Sequence, residues 1–434
     1  MAGGKGTRIA SITNDEIPKP MLTVGGKTIL EHQIECLKKS GVDEVIIVTG
    51  HLGEKIRDYF KDGSLLGIKI SYYEEDPNKP LGTAGSLYYL KDNIEEDFIL
   101  IFGDVFLSVD FNKMAEYHHK HSSDATLLTH PNSHPFDSDL VVVDDTGKVT
   151  GFDSKENKRD YDYKNLVNSG IYMFSPRVFD YVPEPKKCGL EKDVIAKMIT
   201  SGDKVYSYHS TEYVKDMGTP ERYYSVNDDY ANGLCEHRNL SHKQKAIFLD
   251  RDGTINVHIP FLVNKDEFEL IDGVSEAIKM INSSEYLCIV VTNQPVIARG
   301  ECTFVELDEI HKRMETLLGR DGAYIDGLYF CPHHKDKGFP GEVPELKFDC
   351  DCRKPKIGML KKAAEDYNID LSESIVIGDS TLDIKMAENA HMKSILVKTG
   401  QAGLDNKYKV RPDEVAEDLL SAVKMIIKSE ERRR

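Results

Sequence analysis

The sequence of 434 residues predicts an α/β protein built as two Rossmann-like domains. Three observations predict this fold class. Short apolar runs of strand type alternate with amphipathic helical stretches, a polar segment near the middle interrupts them, and a second set of apolar runs follows. Because ligands of such sheets bind at the carboxyl ends of the strands, functional residues are expected where the apolar runs end.

Composition and charge exclude several classes of function. With 40% hydrophobic residues the chain can bury two cores, and its net charge of -17 disfavours binding to nucleic acid or to an anionic membrane. It has no apolar stretch of about 18 residues and no signal peptide pattern, so we expect a cytoplasmic protein. The eight cysteines are mostly single, but three lie in one short region, which favours metal binding over disulfides.

The elements divide the chain into a first domain at 1–235, a linker at 236–245 and a second domain at 246–428. The first domain contains the strand-like runs EVIIVTG, DFILIFGD, ATLLTH, DLVVVDD and VNSGIYMF. One of its helices has clear signals at both ends, because Thr28 and Glu31 form a capping-box pair at its start and Gly41 ends its helical pattern. The linker EHRNLSHKQK has no apolar periodicity, and the strand-like runs KAIFLD, YLCIVVTN and SIVIGD follow it.

The second domain carries acidic and cationic residues at its strand ends. FLDRDGT places Asp250 and Asp252 two residues apart after a strand, which suits a nucleophile and a proton-transfer group for phosphoryl chemistry. The remaining groups follow in order along the chain: Thr292 in VVTNQ, Lys354 in CRKPK, and Asp379 and Asp383 in IGDSTLD. Each residue alone could be a turn or cap residue. The ordered set resembles the haloacid dehalogenase superfamily.

That resemblance implies a role for each position. Asp250 is the nucleophile that forms an aspartyl-phosphate, and Asp252 is the general acid and base, with its carbonyl on Mg²⁺. Thr292 and Lys354 hold the phosphoryl oxygens. Asp379 completes the magnesium site with Asp250, while Asp383 orients Lys354 or a metal-bound water. Since only about 36 residues separate FLDRDGT from VVTNQ, the resemblance implies a capless fold with an open site.

The three clustered cysteines lie in the loop CPHHKDKGFPGEVPELKFDCDCRK. Cys331, His333, Cys350 and Cys352 supply four ligands suited to a structural zinc ion, with His334 as the alternative imidazole. The loop, together with TNQPVIARG, resembles the heptose bisphosphate and histidinol phosphatase branch. That implies substrate contacts by Asn293, Gln294, Arg299 and Arg353. Pro295 and Val296 depart from the small Ser-Gly pair typical of the heptose enzymes, which leaves the sugar and its anomer open.

The first domain opens with GGKGTR, a glycine-rich loop suited to a triphosphate. Its backbone amides come from Gly3, Gly4, Gly6 and Thr7, and Arg8 adds a cation. Lys19 in PKPM follows eleven residues after Arg8, and this spacing resembles the sugar-phosphate nucleotidyltransferases, which implies a GT-A-like sheet. The match continues through PLGTAGS, IFGDV, VNSGIYMF, GLEKDVI and VKDMGTPERY.

This second resemblance assigns further residues. Arg8 and Lys19 are catalytic cations that spread charge on the α-phosphate, and Asp104 and Asp216 hold Mg²⁺. The nucleobase loop contributes Gly82, Thr83 and Gly85. The sugar contacts are Lys155, Asn168, Gly170, Glu191 and Lys192. Ser154 replaces the family's acidic residue before Lys155, so one sugar contact is expected to differ.

Together the two halves predict a bifunctional enzyme that makes a nucleotide-activated heptose. Its cofactors are Mg²⁺ and Zn²⁺, and its partners are sugar phosphates and a nucleoside triphosphate, with GTP as the expected donor. The first half most resembles guanylyltransferases for mannose-like sugars, although these residues alone do not define the base. Two alternatives stay open: a histidinol-phosphate-like or other sugar phosphatase joined to a hexose 1-phosphate nucleotidyltransferase, or a phosphatase with a non-catalytic N-terminal module.

The glycine loop begins unusually close to the first residue. Relatives of this half carry an apolar strand of about five or six residues before it, whereas this sequence has only Met1 and Ala2 there. Losing that buried strand would remove about 5–10 kcal/mol of stability. This comparison predicts a natural start upstream of Met1.

Overall fold

The computed structural model describes residues 1–4 and 7–432, and these form two compact units. The first unit contains Met1–His130, Asp139–Ser154 and Leu166–Asn239, and the second contains Pro131–Ser138, Lys155–Asn165 and the chain from Leu240 onward. Within the described residues, no helix has the length and apolar character needed to cross a membrane.

The first unit is a mixed α/β structure. Its strands are β1 (Thr23–Val24), β2 (Lys27–Thr28), β3 (Glu44–Thr49), β4 (Lys69–Glu74), β5 (Phe98–Ile101), β6 (Val105–Ser108), β7 (Ala125–His130), β8 (Leu140–Val143), β9 (Val149–Asp153), β10 (Val167–Phe174), β11 (Val205–His209) and β12 (Tyr213–Asp216). Its helices are α1 (Ala10–Thr13), α2 (Ile29–Lys39), α3 (Gly53–Phe60), α4 (Phe111–His121), α5 (Ala196–Thr200), α6 (Pro220–Ala231) and α7 (Leu234–His237). A π-helix, Leu190–Ile195, precedes α5.

The main sheet of this unit has the strand order β11-β7-β10-β8-β9, and β5 also pairs with β10. Met1 and Ala2 lie between β5 and the parallel pair formed by β3 and β4. The Met1 amino group donates to the Ile101 carbonyl, and the Ala2 amide donates to the Val48 carbonyl. Ala2 forms a parallel bridge with Thr49. Gly3 and Gly4, which begin the glycine loop, therefore follow directly after two residues that are bonded to β5 and β3.

Helix α2 confirms the predicted helix with its capping box. The Thr28 side chain accepts a hydrogen bond from the Glu31 amide, and the Glu31 carboxylate accepts one from the Thr28 amide. The face that carries Leu30, Ile34 and Leu37 is buried, as its spacing predicts.

The second unit is organised around one parallel sheet. Its strands are β13 (Lys245–Leu249), β14 (Tyr286–Asn293), β15 (Gly327–Cys331), β16 (Ile375–Gly378), β17 (Lys393–Val397) and β18 (Glu414–Ala416). Its helices are α8 (Val274–Asn282), α9 (Phe304–Arg320), α10 (Gly358–Tyr367), α11 (Thr381–Asn389) and α12 (Leu419–Glu431). The order is β15-β14-β13-β16-β17-β18, so β13, β14 and β16 are neighbours and their carboxyl ends form one edge.

The compact units differ from the predicted domain boundaries of 1–235, 236–245 and 246–428. Residues 131–138 and 155–165, predicted within the first domain, group with the second unit because they pack on α9. The Tyr163 amide donates to the Thr316 hydroxyl, and the Asn165 amide donates to the Glu315 carboxylate. The predicted linker is also partly regular, since its first two residues end α7 and Lys245 begins β13.

Candidate active sites

A lysine between two aspartates forms the centre of the candidate site in the second unit. Asp250 directly follows β13, Asp383 lies in the first turn of α11, and Lys354 reaches between them. The Lys354 ammonium lies 2.8 Å from Asp250 Oδ1 and 2.7 Å from Asp383 Oδ1, and it also donates to the Val291 carbonyl. Burial lowers the pKa of Lys354, but the two carboxylates outweigh it and raise the pKa above its usual value. Lys354 is therefore a fixed cation.

Asp379, which follows β16, completes a group of three carboxylates. Asp250, Asp379 and Asp383 offer oxygen atoms that all lie within 4.8 Å of one another. Burial, followed by the neighbouring carboxylates, raises the pKa of Asp250 to about 7 and that of Asp379 to about 8. When all three ionise, only one ammonium opposes three negative charges. The group therefore fits a divalent cation such as Mg²⁺, because hard oxygen ligands and a net negative site favour it.

Asp252 occupies a different environment from Asp250. Arg251 Nη2 donates to both oxygens of its carboxylate, at 2.9 Å each. The carboxylate also accepts hydrogen bonds from the side-chain amides of Asn256 and Gln294. Burial raises the pKa of Asp252, but Arg251, together with the hydrogen bonds from Asn256 and Gln294, lowers it below the usual value. Arg251 is fully buried and also contacts His311 on α9. Asp252 is thus held as a carboxylate.

Residues at the end of β14 connect this cluster. The Gln294 amide donates to the Thr292 hydroxyl at 2.9 Å, as well as to Asp252. Asn293 is bonded to the backbone of Lys354, since its Oδ1 accepts from the Lys354 amide and its Nδ2 donates to the Lys354 carbonyl. The structure therefore brings Thr292, Asn293 and Gln294 beside the predicted nucleophile. Asn293 positions the lysine backbone.

The predicted zinc ligands converge in the loop that follows β15. Cys331 Sγ lies 3.5 Å from Cys350 Sγ, Cys350 Sγ lies 3.3 Å from Cys352 Sγ, and Cys352 Sγ lies 3.3 Å from His333 Nδ1. All four ligand atoms lie within 4.8 Å of one another. His334 instead contacts Asp336. Three thiols and one imidazole at these separations fit a tetrahedral zinc ion, with His333 as the imidazole ligand.

The zinc loop packs against the loop that follows β14. The Val343 amide donates to the Ala298 carbonyl, and a Cβ at Gly300 would lie 1.9 Å from the Gly341 carbonyl oxygen, so only glycine fits. The Arg299 guanidinium lies between the rings of Phe261 and Phe339, 4.0 and 4.2 Å from their centroids. Arg353 donates to the His333 carbonyl. Arg299 is therefore held by Phe261 and by Phe339 of the zinc loop, and Arg353 is held by His333 of that loop.

In the first unit, the predicted phosphate and base loops line one cavity of about 460 Å³. Its walls include the following residues predicted to bind nucleotide, catalyse transfer or hold metal: Gly3, Gly4, Arg8, Lys19, Gly82, Thr83 and Asp104. Gly6 lies outside the described residues, and of Thr7 only the backbone is described, at the start of a 3-10 turn. The structure thus brings together groups that are up to about 100 residues apart in sequence.

The predicted catalytic cations and the predicted magnesium ligands lie near one another. Lys19 Nζ is 2.5 Å from Asp104 Oδ2. Asp216 pairs with Val105 across β12 and β6, and the Met217 amide donates to the Asp104 carbonyl, so both aspartates occupy the same end of this strand pair. The Asp216 carboxylate is ion-paired with Arg222. Carboxylates are the hard oxygen ligands that Mg²⁺ prefers, but here both are ion-paired with basic side chains.

The glycines of the predicted base loop have a packing role. Gly82 has a φ of +80°, and a Cβ there would lie 2.4 Å from the Cys188 carbonyl oxygen. A Cβ at Gly85 would lie 2.2 Å from the Lys186 carbonyl oxygen. The Thr83 hydroxyl accepts a hydrogen bond from the Leu190 amide. The loop is therefore pressed against the segment that enters the π-helix, while Gly82 and Thr83 also face the cavity.

Two of the predicted sugar contacts are connected through a tyrosine. Asn168 donates to the Tyr172 hydroxyl at 2.8 Å, and that hydroxyl donates to the Glu191 carboxylate at 2.7 Å. Asn168 Oδ1 is buried and has no hydrogen-bond partner among the described residues. Gly170 has a φ of +77° and lies against the Phe102 ring, where a Cβ would be only 2.9 Å away.

The remaining predicted sugar contacts are placed differently. Lys192 lies beside Glu191 in the π-helix. Lys155 was predicted to act with Asn168 and Glu191, but it begins a segment that groups with the second unit. The packing of residues 155–165 on α9 accounts for this placement.

Sequence analysis missed three residues with clear structural roles. Arg251 and His311 form the buried support of Asp252, and Tyr172 bridges the predicted sugar contacts Asn168 and Glu191. A signal for Arg251 was available, because an arginine between two aspartates at the end of an apolar strand must be paired if it is buried. No local pattern identifies His311 or Tyr172, since each also has the spacing of an ordinary core residue.

Comparisons with known proteins agree with this division of sites. The sequence profile of the nucleotidyl transferase family matches residues 1–233, and that of the HAD-hydrolase-like family matches residues 351–422. The chain is 41% identical over 161 residues to the D-glycero-beta-D-manno-heptose-1,7-bisphosphate 7-phosphatase of Haemophilus ducreyi, covering 37% of this chain and 86% of that protein.

Two relatives of the first half are also similar. The UTP--glucose-1-phosphate uridylyltransferase of Synechocystis is 31% identical and covers 52% of this chain and 61% of that protein. The mannose-1-phosphate guanylyltransferase of Mycobacterium tuberculosis is 31% identical and covers 54% of this chain and 64% of that protein. The chain spans less than two thirds of either of these relatives.

The sites and the matches together define an enzyme with a nucleotidyltransferase half and a phosphatase half. The chain belongs to the nucleotidyl transferase family through its first half and to the HAD-like D-glycero-beta-D-manno-heptose-1,7-bisphosphate 7-phosphatases through its second. The predicted fold class, with both halves α/β, is confirmed.

Proposed function

We propose that this chain catalyses two consecutive steps in making a nucleotide-activated heptose. The second unit removes the 7-phosphate of D-glycero-D-manno-heptose 1,7-bisphosphate, and the first transfers a nucleotidyl group, GMP from GTP, to the resulting 1-phosphate. One observation carries the proposal: a half similar to heptose bisphosphate phosphatases is joined to a nucleotidyl transferase half. The product of the one reaction has the anomeric phosphate that the other requires.

In the phosphatase half, the Asp250 carboxylate attacks the phosphorus atom of the 7-phosphate. The bond between phosphorus and the sugar oxygen breaks, and the oxygen takes a proton from Asp252. Lys354 and Thr292 stabilise the charge on the phosphoryl oxygens. Asp250, Asp379 and the Asp252 carbonyl would hold Mg²⁺, which would supply further charge neutralisation.

The second half-reaction uses Asp252 as a base. Water attacks the aspartyl-phosphate, Asp252 takes a proton from that water, and phosphate leaves while the Asp250 carboxylate is regenerated. The bonds from Arg251, Asn256 and Gln294 favour the carboxylate form that this step needs. Proton donation in the first half-reaction requires Asp252 to be protonated and these bonds to loosen.

In the transferase half, an oxygen of the sugar 1-phosphate attacks the α-phosphorus, and pyrophosphate leaves. The glycine loop binds the triphosphate through backbone amides, and Arg8 and Lys19 spread the developing charge. Asp104 and Asp216 would hold Mg²⁺, which neutralises the triphosphate. Asn168 and Glu191 contact the sugar hydroxyls.

The experiment supplies the purified chain with heptose 1,7-bisphosphate, GTP and Mg²⁺, and follows phosphate, pyrophosphate and GDP-heptose over time. Phosphate is expected first, and pyrophosphate should appear after a lag, because the 1-phosphate must accumulate. Adding the heptose 1-phosphate directly should remove the lag. This second reaction is the control for an intact transferase half.

Two results would contradict the proposal. Pyrophosphate formed equally well from unrelated hexose 1-phosphates, with no phosphate released from the bisphosphate, would favour another pair of substrates. Phosphate release without nucleotidyl transfer from either sugar phosphate would favour a non-catalytic first half.

A further inference from the structure

Arg222 is a cation placed against a predicted magnesium ligand of the first unit. It lies in the first turn of α6, and its guanidinium is ion-paired with the carboxylate of Asp216, the last residue of β12. Only three residues connect β12 to α6, and the Thr219 side chain accepts a hydrogen bond from the Arg222 amide. The cap and the short connection therefore hold the arginine opposite the carboxylate.

Helix stability does not account for an arginine at this position. The amino end of a helix carries partial positive charge, so a cation in the first turn is unfavourable there. The side chains of Arg222 and Asp216 are 22% and 40% exposed, and an ion pair of such exposure contributes little stability. The pair is therefore better explained by the role of Asp216 than by folding.

A second cation lies close to the same carboxylate. Gly218 lines the nucleotide cavity, and a Cβ there would lie 2.5 Å from Asp216 Oδ1 and 3.2 Å from Arg8 Nη2. The missing side chain leaves room for both groups. The other predicted metal ligand, Asp104, is ion-paired with Lys19. Each predicted ligand is thus matched by basic groups of the protein itself.

The charges of these groups determine which ligands can bind favourably. Three basic side chains, Arg8, Lys19 and Arg222, face the carboxylates of the two predicted metal ligands. A divalent cation alone would increase the excess of positive charge and would have to displace an arginine. A triphosphate is strongly negative, so it removes that excess and offers oxygens to which a displaced guanidinium can bind. Joint binding of metal and nucleotide is therefore favoured over binding of the metal alone.

We propose that Arg222 is a positioning residue that neutralises Asp216 until Mg²⁺ and the triphosphate bind together. This inference rests on the proposed nucleotidyl transfer by the same cavity. When both ligands bind, the Asp216 carboxylate exchanges the guanidinium for the metal ion, and the guanidinium becomes available to a phosphate oxygen. Arg222 thereby disfavours metal binding in the absence of nucleotide and couples the binding of the two ligands.

The first measurement is Mn²⁺ binding to the whole chain without nucleotide. Mn²⁺ shares the oxygen preference of Mg²⁺, and electron paramagnetic resonance reports its free concentration. Every protein carries Asp379→Asn, which removes a predicted metal ligand of the second unit. Arg222→Gln should bind Mn²⁺ about tenfold more tightly, because it removes a competing charge next to Asp216. Asp216→Asn should lose this binding, which identifies the site that is measured.

The second measurement is the affinity for GTP with and without Mg²⁺, by calorimetry and without sugar. Because coupling between two ligands is reciprocal, the factor by which Mg²⁺ tightens GTP binding should be about tenfold smaller in Arg222→Gln. Formation of the complex between Mg²⁺ and GTP in solution is the same for every variant and cancels. A merely structural role of Arg222 would instead weaken GTP binding alike with and without Mg²⁺.

Two further variants separate charge from other effects. Arg222→Lys retains the positive charge and should stay within about threefold of the arginine chain in both measurements. Arg57→Gln is the matched control, because Arg57 is exposed and ion-paired with Glu74, and it should change neither value. Thermal unfolding checks that each variant is folded, and Arg222→Met serves as the neutral variant if Arg222→Gln is not.

The possible failures are distinguishable. An unchanged Mn²⁺ affinity in the neutral variant would overturn the inference, as would Arg222→Lys binding Mn²⁺ as tightly as that variant. If Asp216→Asn leaves Mn²⁺ binding intact, Asp216 is not the ligand and the inference fails with it. If nucleotidyl transfer nevertheless proceeds in these cases, only the role of Arg222 fails. If Mn²⁺ affinity changes as expected but no nucleotide is transferred, that role stands and the proposed transfer fails.

Discussion

The two candidate active sites differ in how their polar groups are satisfied. In the second unit, the groups lie at adjacent ends of one parallel sheet and contact one another, with Lys354 within 2.8 Å of two carboxylates. In the first unit, they come from separate loops around a cavity of about 460 Å³, and oxygens of Glu75 and Asn168 lack partners among the described residues. A phosphoryl group is small and needs a compact charged site. A nucleotide and a sugar need room, and their own donors must complete the site.

Replacement of the predicted nucleophile gives the largest expected effect and tests whether the two sites are independent. Asp250→Asn should lower phosphate release by about 10⁵-fold, because an amide cannot accept the phosphoryl group. Transfer to added heptose 1-phosphate should continue at the unaltered rate. Phosphate release is measured with the bisphosphate, and thermal unfolding serves as the control for folding. Turnover within a few-fold of the unaltered chain would remove Asp250 from this role.

The reciprocal change acts on the first site. Lys19→Met should reduce nucleotidyl transfer by about 10²–10³-fold, because it removes the buried cation that is predicted to stabilise charge on the α-phosphate. Phosphate release should be unchanged. Pyrophosphate formation from heptose 1-phosphate and GTP is the measurement. Lys27→Met removes an exposed lysine that is ion-paired with Glu35 and should leave both rates unaltered. A transfer rate insensitive to Lys19→Met would place the catalytic cation elsewhere.

The four predicted zinc ligands allow a test of whether a metal ion orders part of the second site. Cys350→Ser should remove zinc and lower the free energy of unfolding by at least about 2 kcal/mol. The reason is that the zinc ion is expected to fix the segment that contains Gly341, Arg353 and Lys354. Elemental analysis and thermal unfolding check this. Cys302→Ser replaces another buried cysteine outside the four-ligand group and should retain one zinc per chain. Zinc-free unaltered protein, prepared without chelators, would contradict the assignment.

The difference between the two sites also accounts for which of their residues could be predicted from the sequence. The convergence of the second site was largely predictable, because Asp250 and Asp379 each follow an apolar strand, Thr292 lies at the end of another, and parallel strands bring their ends together. In the first unit, Tyr172 could not be identified, since a tyrosine in an apolar strand has the pattern of a core residue. The compact units differ from the predicted domains at residues 131–138 and 155–165 because their packing on α9 is a long-range contact without a local signal.

The smallest expected effect concerns Tyr172, whose hydroxyl connects the predicted sugar contacts Asn168 and Glu191. Tyr172→Phe keeps the buried ring but removes the hydroxyl that donates to Glu191 and accepts from Asn168. Loss of one hydrogen bond to a carboxylate corresponds to about 1.5 kcal/mol, so KM for the sugar 1-phosphate should rise roughly tenfold. KM for GTP and the rate of phosphate release should not change.

Tyr213→Phe is the matched control for this substitution. It removes a tyrosine hydroxyl that donates to the Asp229 carboxylate at 2.6 Å, away from the residues that line the nucleotide cavity. A general loss of stability would affect both variants alike, whereas a positioning role predicts that only Tyr172→Phe changes KM for the sugar. If Tyr172→Phe instead lowers kcat and leaves that KM unaltered, Glu191 and Asn168 do not bind the ground-state sugar. The sugar contacts would then have to come from other residues of the first unit, and the unpartnered Asn168 oxygen would need another explanation.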